Sequence, residues 1–254
     1  MTQHANVGPA ISYSIIIPAF NEADYLEATL ARVRQCMEAV AIDSGPNFGQ
    51  GELIVVDNNS TDATVSIAQS YGATVVFEPH NQISRARNRG ASVAGGSMLI
   101  FLDADTELSI TLLSQAVGYM QSGDCVGGGV LVEPDQPVSH SVRRFINCWN
   151  FAAKKFGIAA GCFVYCRRDA FEAIGGFSEK IYASEEVWLS RALRRYGRQR
   201  NMKFRVIQEP PIVTSMRKLE WYSRWQLLAQ ALVLLIPLTL YSRRLCALWY
   251  QRPQ

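Results

Sequence analysis

Several familiar signatures are missing from this sequence. Its six cysteines, Cys36, Cys125, Cys148, Cys162, Cys166 and Cys246, show no CxxC pairing, which argues against a disulfide framework and for a reduced, cytoplasmic setting. Cys162 and Cys166 resemble half of a metal site, but no second Cys/His pair accompanies them. They are expected to be small buried hydrophobes. His80 and His140 likewise lack partner spacing and read as incidental. There is no GxGxxG after a strand, which disfavours a dehydrogenase. No repeats or low-complexity stretches occur. The opening MTQHANVGPA has no apolar h-region, so no signal peptide is expected. The net charge of +3 is too small to argue for nucleic acid, and a composition 48% hydrophobic and 19% charged is not that of a disordered chain.

What is present is periodic. SIIIP (14–18) reads as a buried strand ended by proline. After it, Leu26, Leu30, Val33, Met37 and Val40 mark one face of a helix, with Asn21 as its expected N-cap. ELIVVD (52–57) is a second strand, and TVSIAQSYG a second helix ending at Gly72. TVVFE (74–78), SRARNRGASVAGG (84–96) and SMLIFLD (97–103) follow as strand, helix and strand. This β-α-β-α-β-α-β order with continuously apolar strands predicts a parallel sheet covered on both faces. Beyond it, GGGVLVEP and AGCFVYCRR look like later strands, and SEEVWLSRALRRYG is a helix with Val187, Leu189, Ala192 and Leu193 facing inward.

Ligands of such sheets bind beyond the carboxyl ends of the strands. Three polar clusters fall there: PAFNE (18–22), DNNSTD (57–62) and DADTE (103–107). Asp103 and Asp105 raise an electrostatic question, because two carboxylates so close repel unless a cation accompanies them. A hard divalent cation, Mg²⁺ or Mn²⁺, binds through one or two carboxylates plus substrate phosphates and would answer it. The plainer alternative is that one of them caps the helix starting near Ser109. Caps at Glu22 and Asp57, exposed helix charges at Arg85 and Arg87, and simple N-terminal helix charge at Glu185 and Glu186 are the corresponding plain alternatives.

Taken together, PAFNEADYL, VVDNNSTDAT, ISRARNRGASVAGG, FLDADT and SEEVWLSRAL resemble the family 2 glycosyltransferases over about residues 13–216. The resemblance implies a GT-A fold: a Rossmann-like, mostly parallel central sheet flanked by helices. Residues 1–216 would form that domain, with a nucleotide-binding half at 1–105 and an acceptor half at 106–216. It implies that Pro18, Ala19, Phe20 and Glu22 frame the base and ribose of a nucleoside diphosphate sugar, and that Asp57 bonds the base. Asn58 stands where the family often has a second acid. Arg87, Asn88 and Arg85 would line the nucleotide pocket, and Asp103, Ala104 and Asp105 match the metal motif. Asp105 is the expected direct ligand of Mn²⁺ or Mg²⁺, with Asp103 nearer the ribose and sugar. Glu186 takes the place of the family's catalytic base, with Glu185 next, and a Glu there replaces the usual Asp. GGF (175–177) resembles the acceptor-side loop, and Gly161 and Cys162 are read as lining the same pocket. VTSMRK (213–218) lacks the histidine that some relatives give the metal.

The implied activity is metal-dependent, inverting transfer to an acceptor hydroxyl on a carbohydrate or lipid-linked glycan. Two rivals stand beside it. One is a catalytically silent nucleotide-sugar-binding module. The other is a nucleotidyltransferase making nucleotide sugars, which would want a glycine-rich phosphate loop with a lysine near the first strand. Residues 217–254 are read as an amphipathic helical tail. Its apolar run LLAQALVLLIPLTL (227–240) is interrupted by Gln230 and Pro237 and falls short of the roughly 20 residues that span a bilayer. Trp221, Tyr222, Arg224, Trp225, Tyr241, Arg243, Arg244, Trp249 and Tyr250 flank it, which suits a peripheral membrane contact through 221–250, at the inner face of the cytoplasmic membrane. A helix docked on the protein or on a second subunit, giving a homodimer, is the alternative.

Overall fold

SIIIP lies within the first strand of an eight-stranded sheet. The computed structural model describes residues 11–43, 50–216, 240–242 and 245–246. Strand β1 (Tyr13–Ala19) is buried along its whole length, because helices cover both faces. Helix α1 (Ala23–Asp43) presents Leu26, Leu30, Val33, Met37 and Val40 to the core, as their spacing predicts. Strand β2 (Gly51–Asp57), helix α2 (Thr64–Ser70), strand β3 (Thr74–Phe77), helix α3 (Ile83–Val93) and strand β4 (Met98–Leu102) complete the first half. In it β3, β2, β1 and β4 lie side by side in parallel.

The second half is mixed. It contains β5 (Thr106–Glu107), α4 (Ile110–Gln121), β6 (Cys125–Pro134), α5 (His140–Phe156), β7 (Phe163–Arg167), α6 (Arg168–Ala173), α7 (Glu185–Arg198) and β8 (Lys203–Thr214). Strand β7 runs antiparallel to β4 and β6, and the sheet order is β3-β2-β1-β4-β7-β6-β8-β5. Tyr13, Ile15 and Ile17 pack in one core cluster with residues of α1 and α4, whereas Ile16, Ile54 and Val56 join α3, α6 and α7 in the other.

That order dictates a curl. Strands β4 and β5 lie four inter-strand steps apart, about 19 Å across a flat sheet. Yet only Asp103, Ala104 and Asp105 join them, and four chain steps reach about 14 Å. The sheet must bend to close the difference, and the aspartate pair sits at the seam.

Some expectations change. Asn21 does not cap α1: it adopts left-handed backbone (φ 53°), and its side-chain oxygen accepts from the Thr61 N–H. The first N–H groups around α1 are satisfied by the neighbouring loop, Glu22 N by Thr64 Oγ1 and Ala23 N by Asp62 Oδ2. Helix α4 is capped by Ser109, which accepts from Leu112 N, so neither aspartate is spent there. Helix α3 ends at Val93 rather than Gly96, and β4 ends before Asp103. Helix α7 buries Glu185, Leu189, Ser190, Leu193 and Gly197, so Val187 and Ala192 lie off its inner stripe. Cys162 and Cys166 are buried, as expected. Most of the tail, 217–239, 243–244 and 247–254, lies outside the described residues, and with it most of the membrane and dimer expectation. No helix among the described residues is long and apolar enough to cross a membrane.

Candidate active site

Three strand ends meet at one edge of the sheet, and hydrogen bonds lace the first two together. Pro18 and Ala19 are buried at the end of β1, with Phe20 and Glu22 half-buried just beyond. Ala19 O accepts from Asn58 N, and Asn21 N donates to Ser60 Oγ. Buried Asp57 accepts from Ser60 N through Oδ1. Asn58 is also buried, and its amide is fully used: Nδ2 donates to Glu78 O and His80 O, while Oδ1 accepts from Gln82 N. At this position the chain has a scaffold amide. It fixes the turn between β3 and α3.

The aspartate turn is held from three directions. Thr29 of α1 donates to Ala104 O at 2.8 Å, Asp103 N donates to Cys162 O, and Ser215 N donates to Asp105 O. Ala104 therefore spends its carbonyl on α1 and its methyl in the core, leaving Asp103 and Asp105, both half-buried, to turn outward. A cleft of about 490 Å³ opens beside Asp105, lined also by Asp24, Tyr25, Arg32, Glu107 and Asp135.

Arg87 joins this turn to the rest of the site. Its guanidinium is buried and donates to Asp103 Oδ1 at 2.9 Å, Gly161 O at 2.7 Å and Glu185 Oε1 at 2.7 Å. Burial alone would weaken its hold on the proton, but Asp103, Glu185 and Glu186 outweigh that and hold its pKa above the usual arginine value. Neither exposed charge nor a freely presented donor describes it. Its neighbours are engaged too: Asn88 grips Phe177 by both backbone groups, and the partly exposed Arg85 bonds Gln82 and pairs with Glu179 at 3.3 Å. All three side chains brace the segment 177–185.

That segment leads into α7, whose first turn carries both acids. Ser184, at its N-cap, is left-handed (φ 60°), a conformation a non-glycine residue holds only when its surroundings impose it. Gln82 supplies part of that restraint through its donations to Glu179 O and Ile181 O. Gly176 (φ 69°) sits so close that an added Cβ would meet Asn88 Oδ1 at 2.7 Å, so GGF is a tight brace for α3. Glu185 is consumed by Arg87. Glu186 lies beside Gly161, whose added Cβ would stand 3.8 Å from its carboxylate. Burial, then the Glu185 charge, push the Glu186 carboxyl up to about 8, against the pull of Arg87. Burial and the nearby Asp103 and Asp105 likewise push the Cys162 thiol upward.

Asp105 offers hard oxygen donors at the cleft, with Asp103 two residues before it. Among the described residues no cluster of three or more His, Cys, Asp or Glu side chains forms a metal site. A cation here would complete its shell with phosphate and water, as Mg²⁺ commonly does. The residues fit such an ion. Gln82 is the site builder that the sequence analysis did not single out; for Asn58 and Arg87, named there, the structure adds the partners that hold them. The signal for Arg87 was its place on the Ser84–Arg87–Ala91 stripe of small buried residues.

Residues 14–175 match the family model described as Glycosyl transferase family 2. The chain is 29% identical over 193 residues to Glycosyltransferase AglE of Haloferax volcanii, covering 70% of this chain and 60% of that one. It is 30% identical over 154 residues to a dolichyl-phosphate beta-glucosyltransferase of Drosophila melanogaster, covering 54% and 47%. It thus spans about half to three-fifths of the length of these curated relatives. The fold is similar to that of the mannosyltransferase PcManGT from Pyrobaculum calidifontis in complex with GDP-Man and Mn²⁺, with TM-score 0.63, 22% identity and coverage of 89% and 62%. It is also similar to that of glucosyl-3-phosphoglycerate synthase from Mycobacterium tuberculosis with Mn²⁺ and UDP, with TM-score 0.61, 18% identity and coverage of 95% and 81%.

Proposed function

The chain belongs to glycosyl transferase family 2, and we propose that it moves a sugar from a nucleoside diphosphate sugar to an acceptor hydroxyl, with inversion. The observation that carries this is Arg87, which ties the carboxylate after β4 to the acid pair of α7. In this reading one guanidinium holds the phosphate-side acid next to the acid pair that carries the base.

The donor's nucleoside lies along Pro18–Glu22 and Asp57, at the strand ends, and its diphosphate lies toward Asp105. Asp105, with Asp103 beside it, would hold Mn²⁺ or Mg²⁺, which supplies charge neutralisation for a departing diphosphate. Glu185, neutralised by Arg87, is the poorer base; Glu186 is the catalytic residue. Its ionised carboxylate accepts the acceptor's hydroxyl proton while that oxygen bonds to the anomeric carbon. The bond to the diphosphate oxygen breaks on the opposite face, and the diphosphate leaves with the electron pair. Gly161, with no side chain, leaves room for sugar beside Glu186. A carbohydrate or lipid-linked glycan is the acceptor in this scheme.

Glu186→Gln tests it. Turnover of a nucleoside diphosphate sugar should fall by about 10²–10⁴-fold, the range a positioned general base contributes, while donor binding followed by thermal shift stays. Unchanged turnover would refute the assignment. Donor binding with no turnover in either protein would mean a binding module.

A further inference from the structure

Helix α5 has an outward face that neither the core nor the proposed reaction uses. Of its 17 residues only Ile146 and Ala153 are buried. Phe145, Phe151 and Phe156 are 65%, 63% and 52% exposed, which is costly for three phenylalanines on one helix in water. At 100° per residue, Phe145, Cys148, Ala152 and Phe156 form one stripe, and Arg144, Phe151 and Lys155 the stripe beside it. The second stripe points opposite Ile146 and Ala153, and the first stands at about right angles to them. Lys155 stands 5.5 Å and 5.7 Å from the ring centres of Phe151 and Phe156.

The charge on this helix has one sign. Arg143, Arg144, Lys154 and Lys155 lie in α5, and no Asp or Glu occurs anywhere from Gln136 to Arg168. Arg143 pairs with Glu133, which leaves Arg144 and Lys155 among the exposed aromatics and Lys154 exposed on the flank. Phenylalanines interleaved with long basic side chains match a bilayer interface, where rings enter the acyl boundary and cations stay at the headgroups. We propose that α5 docks on an anionic lipid surface. A protein partner would have to supply both an apolar cover and a compensating acidic rim; an anionic bilayer supplies both at once.

The position of α5 gives the contact a use. Left-handed Gly157 ends the helix, and Gly161, whose carbonyl accepts from Arg87, follows four residues later. Five chain steps, at most about 18 Å, separate Phe156 from Gly161, beside Glu186. A bilayer against α5 would bring membrane-borne molecules to the Glu186 side of the site. The docking itself does not depend on the proposed reaction.

Flotation of the full chain with vesicles tests it, comparing phosphatidylcholine alone with phosphatidylcholine plus phosphatidylglycerol. Wild type should float with the mixed vesicles only, and less in high salt. Each basic residue near such a surface is worth about a factor of five, so Arg144→Gln with Lys155→Gln should weaken binding about 25-fold. Phe145→Ser with Phe151→Ser and Phe156→Ser should abolish flotation. Circular dichroism and retained stabilisation by a nucleoside diphosphate would show that these variants are folded with an intact pocket. Lack of flotation by wild type would overturn the proposal. So would undiminished flotation of the folded variants, which would assign the contact to another part of the chain. A dimer that the Phe variants convert to monomer would overturn it too, by making the face a protein interface.

Discussion

Arg87→Met would remove a charge while keeping most of the side chain's volume, and the structure says what that should cost. The guanidinium side chain is 2% exposed, Glu185 8% and Asp103 30%. Removing one member of a buried ion pair leaves the other uncompensated, at about 3–5 kcal/mol. Asp103 reaches water and relaxes part of its share; Glu185 does not. The loss is therefore dominated by Glu185, and the carbonyl of Gly161 also forfeits its donor. For a chain of this size each kcal/mol moves the melting temperature by about 2–4 °C, so Arg87→Met should melt about 10 °C lower by circular dichroism at neutral pH. Adding Glu185→Gln removes the stranded charge, and the double variant should recover more than half of the loss. The sign of that coupling is the decisive quantity. A single-variant loss under about 1 kcal/mol, or a double variant destabilised by the sum of the two singles, would refute the account of Arg87 as the electrostatic centre.

Three further outcomes follow from Glu186 and Asn58. Glu186 titrates near 8 in the folded chain against an ordinary 4.5, so the folded state holds its proton more tightly than the unfolded one. Stability from this group is full below about 4.5 and is lost as pH rises toward 8; the melting temperature of wild type should drift down across that window, and that of Glu186→Gln should drift less. Since the base must be ionised, kcat/KM should rise with pH toward a plateau above about 8, and a rate flat from pH 6 to 9 would argue against Glu186. Asn58→Asp would strand Glu78 O and His80 O, each of which accepts from Nδ2. It should cost about 1–3 kcal/mol in urea titrations, and a neutral or stabilising result would show that the amide is not the scaffold.

The strand ends were legible because burial and polarity change abruptly there: IIIP, LIVV and LIFL are continuous apolar runs, the last two followed at once by Asp57 and Asp103 and the first, after Ala19 and Phe20, by Asn21 and Glu22. Strand direction was not, because an apolar run fits either sense. The antiparallel setting of β7 against β4 is decided by what its ends must reach, with Cys162 O beside the aspartate turn. Helix α5 was missed for the opposite reason: with only two buried residues, it has no inner stripe for periodicity to find. The partners of Arg87 were not legible because SRARNRG offers three arginines and the sequence looks alike around each. Only the 3.6-residue period separates them, placing Arg87 in line with Ser84 and Ala91, on the face that meets the sheet. A charge on such a face must find partners, and 98 residues separate it from Glu185, beyond any local pattern. The question posed by two adjacent aspartates thus has a divided answer. Asp103 has a counter-charge within the chain in Arg87, and Asp105, at the seam where the curled sheet brings β5 round, lines the cleft toward which the proposed donor's diphosphate would lie.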